Sequence, residues 1–180
     1  VDNPVQKMRY IILSVYADNG TSAISQFETA QKEWFRDTAL NLPTGYTAII
    51  FAHYLCNFDY DTGAVTQAIN TDISSVVDGY DGDGEIACMI AGHTHIDGTT
   101  TTTGGIPVFV TTCDKYSPWI NGGTNMEPWL TENRHVGTIT EQAFDVVVID
   151  KKNKKVSFVR IGAPADNGEG EKLQIREQTY

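Results

Sequence analysis

The sequence predicts an α/β fold, because strand patterns alternate with helix patterns over its first half. Three short apolar runs, at residues 10–16 (YIILSVY), 47–53 (TAIIFAH) and 85–91 (EIACMIA), are typical of buried strands. The stretches between them repeat apolar residues at helical spacing. Strands that alternate with helices of this length form βαβ units, so we expect a partly parallel sheet covered by helices.

Two amphipathic helices are predicted between these strands. The first begins near Ala23 and ends where residues 43–45 (PTG) interrupt the helical pattern. The second is closed by the glycine-rich residues 78–84. The apolar faces that we expect to contact the sheet consist of Ile24, Phe27, Ala30, Trp34, Phe35 and Leu42 in the first helix and Val65, Ala68, Ile69, Ile73, Val76 and Val77 in the second.

The second half of the sequence favours strands over helices. Residues 106–112 (IPVFVTT), preceded by a threonine run and two glycines, predict two strands joined by a tight turn. Residues 144–149 and 156–161 flank the lysine-rich residues 150–155, which predicts a hairpin with a solvated tip. We expect residues 163–180 to form a loose polar tail.

Residues 114–142 predict no regular element, and a connection of this length is either functional or poorly ordered. Trp119 and Trp129 in this stretch either form an apolar lip for a substrate or pack the loop onto the sheet. His135 either lines a substrate cleft or is an exposed histidine without a role.

The composition is that of a folded globular protein whose charge excludes several partners. Hydrophobic residues make up 41% and charged residues 20%. The net charge of −10 would repel nucleic acid and anionic lipid. We therefore expect no nucleic-acid patch. Since no apolar run is long enough to cross a bilayer, we also expect no membrane segment. A phosphorylated partner would need a local cation.

Cysteines and acidic residues suggest no metal site of their own. Cys56, Cys88 and Cys113 are odd in number and widely spaced, which predicts buried thiols. Residues 78–85 (DGYDGDGE) have the composition of a calcium loop, but no frame supplies the alternating carboxylates, glycine and glutamate of an EF-hand. We expect a solvated turn there.

Three of the four histidines follow predicted strands. His53 ends one strand, while His93 and His95 lie in the GHTH sequence directly after another. The carboxyl ends of parallel strands share one edge of a sheet, so these histidines are expected to converge there. Imidazole is a common ligand of divalent transition metals, and Gly92 would allow the sharp turn. The alternative for a single histidine at a strand end is a hydrogen-bonded structural role.

The histidine motifs resemble those of the calcineurin-like metallophosphoesterases. That family carries, in order, a DxH motif, a GD motif, a GNH motif, a single histidine after a strand and a final GHxH. Residues 48–53 (AIIFAH) resemble the fourth motif, and residues 89–95 (MIAGHTH) match the fifth. Residues 31–35 (QKEWF) are similar to the family's QxxWL helix, and the likeness covers roughly residues 8–162.

The resemblance implies a fold, a metal site and an activity. The fold would be part of an αββα sandwich, with two mixed sheets flanked by helices, to which residues 1–162 contribute the C-terminal half and residues 163–180 a tail. His53 and His93 would ligate one metal and His95 the other. The metals would be manganese, iron or zinc, and the reaction the hydrolysis of a phosphate mono- or diester, with a bridging water activated between two cations.

The sequence departs from the family pattern before His53, where no DxH, GD or GNH motif is found. We therefore expect the catalytic residues upstream of Val1, on a missing N-terminal half, which fits a chain that starts with valine. Alone, this chain would be inactive and would hold zero or one metal ion, because two adjacent dications repel without a carboxylate bridge. Two alternatives remain open: a non-catalytic binding or structural module with a degenerate metal site, and a stand-alone protein that binds a single zinc through the three histidines.

Overall fold

The computed structural model describes residues 1–14, 27–58, 65–67, 69–93, 97–112, 137–166 and 172–180. Its largest element is a six-stranded mixed sheet with the strand order β1-β2-β3-β6-β8-β7. The four central strands are parallel, and the edge strands β1 and β7 are antiparallel to their neighbours. This confirms the predicted α/β class. The strands are β1 (Asp2–Asn3), β2 (Met8–Leu13), β3 (Thr47–Ala52), β6 (Glu85–Ala91), β7 (Gly98–Thr101) and β8 (Pro107–Val110).

Two α-helices in the described part of the chain cover one face of this sheet. Helix α1 (Thr29–Trp34) runs directly into a π-helical turn, Phe35–Ala39. Helix α2 (Thr71–Asp78) begins at Asn70, whose side chain accepts a hydrogen bond from the Asp72 amide at 2.9 Å. The core between helices and sheet includes Phe35, Leu40, Ile73, Val77, Ile11, Ile50 and Met89.

The register of the first helix differs from the prediction. Trp34, expected to face the core, is 45% exposed, whereas Phe35 is fully buried. The Leu40 amide bonds to the Phe35 carbonyl at 2.9 Å, a five-residue span that widens the turn. Because this turn no longer follows α-helical spacing, Ala39 and Leu40 face the core; Ala30, in the α-helix before it, is exposed.

The second helix begins later than its apolar spacing predicts. Residues Val65–Gln67 form strand β5, which pairs antiparallel with β4 (Asn57–Phe58). The backbone turns into the helix only at Asn70, whose amide bonds to the Leu55 carbonyl at 3.0 Å. The prediction of a helix from Val65 is therefore wrong, although Ile73 and Val77 do face the core.

A separate antiparallel sheet has the order β13-β10-β9. Strands β9 (Ala143–Asp150) and β10 (Lys155–Gly162) form the predicted hairpin, paired from Lys155 with Asp150 to Gly162 with Ala143. Strand β13 (Ile175–Thr179) pairs along β10, so the expectation of a loose tail is wrong for these residues. The remaining short elements are a 3₁₀ turn at Ile139–Glu141 and the paired strands β11 (Ala165–Asp166) and β12 (Lys172–Leu173).

The two sheets pack face to face through an apolar layer. Phe109 of β8 stacks on Phe158 of β10, with ring centroids 4.1 Å apart. The layer also includes Cys88, which is buried as predicted; Cys56 is buried on the helix side, and Cys113 lies outside the described residues. No helix in the described part of the chain is long and apolar enough to span a membrane.

Strand β9 leaves apolar side chains in contact with solvent. Phe144, Val146 and Val148 are each about half exposed on the outer face of their sheet (51%, 48% and 48%). On the inner face, Val147 lines a groove of about 820 Å³ between the sheets, which also contacts Tyr10 of β2. The antiparallel sheet therefore covers only part of the mixed sheet.

The lysine-rich turn after β9 is exposed at Lys152 and Asn153, as predicted, but the lysines beside them contact the mixed sheet. The ammonium group of Lys151 donates to the backbone carbonyls of Gln6, Lys7 and Gly45 at 3.0 to 3.3 Å. It thus bonds to the turns that precede β2 and β3. Lys154 pairs with Glu85, at the start of β6.

Candidate functional site

His53 and His93 meet at the carboxyl edge of the mixed sheet. His53 directly follows β3, and His93 follows the neighbouring parallel strand β6 by two residues. Their Nε2 and Nδ1 atoms are 3.1 Å apart, and the ring planes are inclined by 78° with centroids at 5.1 Å. The structure thus brings together two of the three histidines that the sequence singles out.

The other residues of interest lie outside the described part of the chain. His95 falls in residues 94–96, and Trp119, Trp129 and His135 fall in residues 113–136. Their assignments remain predictions. Among the described residues, no group of three or more His, Cys, Asp or Glu side chains is placed to hold a metal ion. The histidine pair is therefore the part of the site whose geometry is known.

The turn that carries His93 is bonded to the turn that carries His53. The Gly92 amide donates to the His53 carbonyl at 3.0 Å, which continues the ladder between β3 and β6 by one step. The expectation that Gly92 makes the sharp turn is wrong: His93 itself has the left-handed backbone conformation, with φ at 70°. For a residue with a side chain this conformation costs about 1 to 2 kcal/mol, and such strain concentrates at functional sites.

Tyr54 packs against His93 and was not singled out by the sequence. Its ring lies edge-on to the imidazole at a centroid distance of 4.9 Å and an interplanar angle of 89°. Tyr54 is buried, and this burial raises the pKa of its hydroxyl above the ordinary value. His53 is exposed and His93 half-buried, so the tyrosine supports the pair from the protein side while solvent reaches it from the other.

The separation of the two histidine ring nitrogens is compatible with shared binding of one metal ion. Two imidazole nitrogens bound to one ion at about 2.1 Å lie roughly 3.0 to 3.4 Å apart, depending on the coordination angle. The observed separation of 3.1 Å is within that range. Without an ion, one ring nitrogen must carry a proton and donate to the other. Neutral imidazole donors suit zinc, iron and other late divalent metals.

A buried network of charged residues links the two sheets beside this edge. Arg160 of β10 bonds to Asp97 at 2.6 Å and to Asp145 at 2.8 Å, and Arg176 of β13 pairs with the same carboxylates at 3.1 and 2.9 Å. All four side chains are at most 4% exposed, and their formal charges cancel. This network could not be predicted from the sequence, because charged residues are ordinarily on the surface.

A scan against protein-family models finds no match for this chain, and a search of curated proteins finds none either. The fold and the site therefore define its class: an α/β protein with a mixed sheet that carries paired histidines at the carboxyl ends of two adjacent parallel strands.

Proposed function

We propose that this chain is part of a metal-dependent phosphoesterase, in which His53 and His93 bind one metal ion. The observation that carries the proposal is the 3.1 Å contact between their ring nitrogens at the carboxyl edge of the sheet. The order of a strand with His53 followed by a strand with GHTH resembles the calcineurin-like metallophosphoesterases. By that resemblance, His95 binds a second ion.

The residues of this chain supply ligands rather than proton transfer. His53 and His93 each present a ring nitrogen to the same point, and the packing of Tyr54 limits rotation of the His93 ring. When bound, divalent ions activate a water molecule and neutralise the charge of the phosphoryl group. Such a local cation is needed, because a net charge of −10 repels a phosphate ester.

The proposed architecture is part of an αββα sandwich. It is supported by a mixed sheet with helices on one face and an antiparallel sheet on the other. The DxH, GD and GNH motifs that would complete the site are absent from the residues before His53. The active form is therefore proposed to include an N-terminal half, and this chain alone to bind at most one ion.

Metal titration of the 180-residue chain tests the ligand assignment. Affinity for Mn²⁺, Fe²⁺ and Zn²⁺ is measured by competition with a chromophoric chelator. His53→Ala and His93→Ala should each weaken binding by at least about tenfold, since each removes one of few ligands. His135→Ala is the matched control and should retain the wild-type affinity. Equal affinity in all four proteins would contradict the proposal.

Catalysis is tested on the longest natural form of the protein. Hydrolysis of p-nitrophenyl phosphate and bis(p-nitrophenyl) phosphate is measured with the metal that binds most tightly. We expect turnover of at least one ester and its loss in His93→Ala.

The second candidate is a non-catalytic binding or structural module, which is favoured by the missing motifs. A longest form that binds metal through His53 and His93 but hydrolyses neither ester would support this candidate over the enzyme.

A further inference from the structure

The turn at Gly92 and His93, called the histidine turn below, is fixed on its β6 side by backbone hydrogen bonds of the mixed sheet. Gly92 bonds to His53, and the Thr111 amide donates to the Ala91 carbonyl at 2.9 Å. These bonds set where β6 ends.

Asp97, four residues after His93, is a fixed point directly before β7. Its side chain is 1% exposed, and its Oδ1 accepts hydrogen bonds from Arg160 at 2.6 Å and from the Thr112 amide at 3.3 Å. The next residue, Gly98, enters β7 and pairs with Val110. Asp97 therefore holds the chain where it returns to the sheet.

The cations that hold Asp97 come from the other sheet. Arg160 extends from β10, and Arg176 extends from β13 to donate to the Val110 carbonyl at 2.8 Å. Replacing a buried ion pair with apolar residues is often neutral for stability, so such a pair has its clearest use in fixing one arrangement. The arrangement fixed here is that of Asp97, directly before the start of β7.

We propose that Asp97 is a positioning residue for the metal site: its buried ion pair with Arg160 fixes the backbone four residues after His93 and so sets the metal affinity of His53 and His93. This inference rests on the proposed role of the two histidines as ligands. Of its two oxygens, Oδ1 makes the contacts with the arginines, and Oδ2 is a buried acceptor without a partner among the described residues.

Asp145 offers a matched control within the same network. Like Asp97 it is buried, and like Asp97 it pairs with both Arg160 and Arg176. It lies on β9, however, and its link to the histidine turn is indirect, through a hydrogen bond from the Thr111 hydroxyl at 2.7 Å. Asp97→Asn and Asp145→Asn each remove one charge from the network without changing side-chain shape, so both should lower stability.

The experiment measures Zn²⁺ affinity of the full chain by chelator competition, together with the urea midpoint of unfolding. Both variants should unfold at lower urea than wild type, but only Asp97→Asn should weaken Zn²⁺ binding, by about tenfold or more. Val156→Ala, a cavity variant in the apolar layer of β10, is expected to lose stability and keep the wild-type affinity. Equal effects of the two asparagine variants on affinity, or no effect of either, would overturn the assignment.

Two further arms keep the outcomes distinct. If Asp97→Asn does not fold, Arg160→Lys is measured in its place, because lysine keeps the positive charge but loses the planar guanidinium group that bonds both carboxylates. Unchanged Zn²⁺ affinity in Arg160→Lys would overturn the inference. If His53→Ala and His93→Ala bind Zn²⁺ as wild type does, the proposed function fails first. Failure of the positioning role alone appears as metal binding that needs both histidines and is insensitive to Asp97.

Discussion

Phe109 of the mixed sheet and Phe158 of the antiparallel sheet lie with their ring planes only 20° apart and their centroids 4.1 Å apart. Both rings are buried, and Phe158 is also covered by the guanidinium of Arg176, whose carbon lies 5.2 Å from the ring centroid. Strand β10 thus carries an aromatic contact between the sheets and, at Arg160, one cation of the buried network.

This stacking predicts a large loss of stability on truncation. Phe158→Ala should lower the free energy of unfolding by about 3 to 5 kcal/mol, because the ring is buried and its removal leaves a cavity. The measurement is urea denaturation. Phe144→Ala, on the half-exposed outer face of β9, is the control and should cost far less. Similar losses in both variants would contradict the burial assigned to Phe158.

The π-helical turn predicts opposite behaviour for two adjacent aromatic residues. Phe35→Ala should destabilise the protein by about 3 to 5 kcal/mol, because Phe35 is fully buried. Trp34→Ala should change stability by a small fraction of that, because the indole is 45% exposed. Thermal or urea unfolding of the two variants distinguishes this register from continuous α-helical spacing, in which Trp34 would face the core.

The central strands of the mixed sheet were predictable from the sequence because they are short apolar runs ended by polar or turn residues, whereas the polar strands β5 and β13 were not. The run at 85–91 coincides with β6, and the run at 47–53 is β3 plus His53. The helices were less predictable. Apolar spacing cannot reveal the switch from α to π turns at Phe35. Nor can it reveal that the second helix begins at Asn70, although its apolar pattern starts at Val65.

The left-handed backbone of His93 predicts an unusual order of stabilities. His93→Gly should be more stable than His93→Ala by about 1 kcal/mol, because glycine adopts a positive φ without steric cost. Gly92→Ala should be nearly neutral, since a Cβ there would meet the His53 carbonyl at 3.9 Å, an ordinary contact. Chemical denaturation of the three variants gives the order. If His93→Ala were more stable than His93→Gly, the left-handed backbone assigned to His93 would be contradicted.

The buried carboxylate of Asp145 predicts a dependence of stability on acid. Burial alone would raise its pKa, but the hydrogen bond from Arg160 and the charge of Arg176 outweigh it and hold the pKa below the ordinary value of 3.8. A depressed folded-state pKa stabilises the protein above the unfolded value, and this contribution is lost as the pH falls through the folded pKa. Unfolding measured at and below pH 3.8 should therefore show wild type losing more stability than Asp145→Asn. Parallel pH profiles would refute the coupling.

Two thiols are predicted to be unreactive in the folded protein. Burial raises the pKa of Cys56 and Cys88 to about 12, so little thiolate exists at about pH 8 and access is blocked. Iodoacetamide should modify both residues only after denaturant is added. Peptide mass spectrometry measures modification at each cysteine separately, so labelling of Cys113 is distinguished from labelling of Cys56 and Cys88. Rapid native labelling of Cys88 would contradict its place between the sheets.

The candidate site was only partly predictable for a physical reason. A histidine at the end of a buried strand is visible in sequence, so the approach of His53 to His93 followed from the sheet topology. The buried network was not visible in the sequence, because Asp97 and Arg160 are separated by 63 positions and each belongs to a residue type that is usually on the surface. Only the stacking of the two sheets brings them together.

Strand β9 has a consequence for handling the protein. Its three consecutive valines, residues 146–148, place apolar groups on both faces, and among the described strands it hydrogen-bonds along one side only, to β10. An apolar edge strand has unpaired backbone N–H and C=O groups, with which an extended segment of another chain can pair. Colloidal stability of the isolated chain in concentrated solution therefore depends on the charge of Asp150 at the end of this strand, and not on net charge alone, because Asp145 is buried in the ion-pair network.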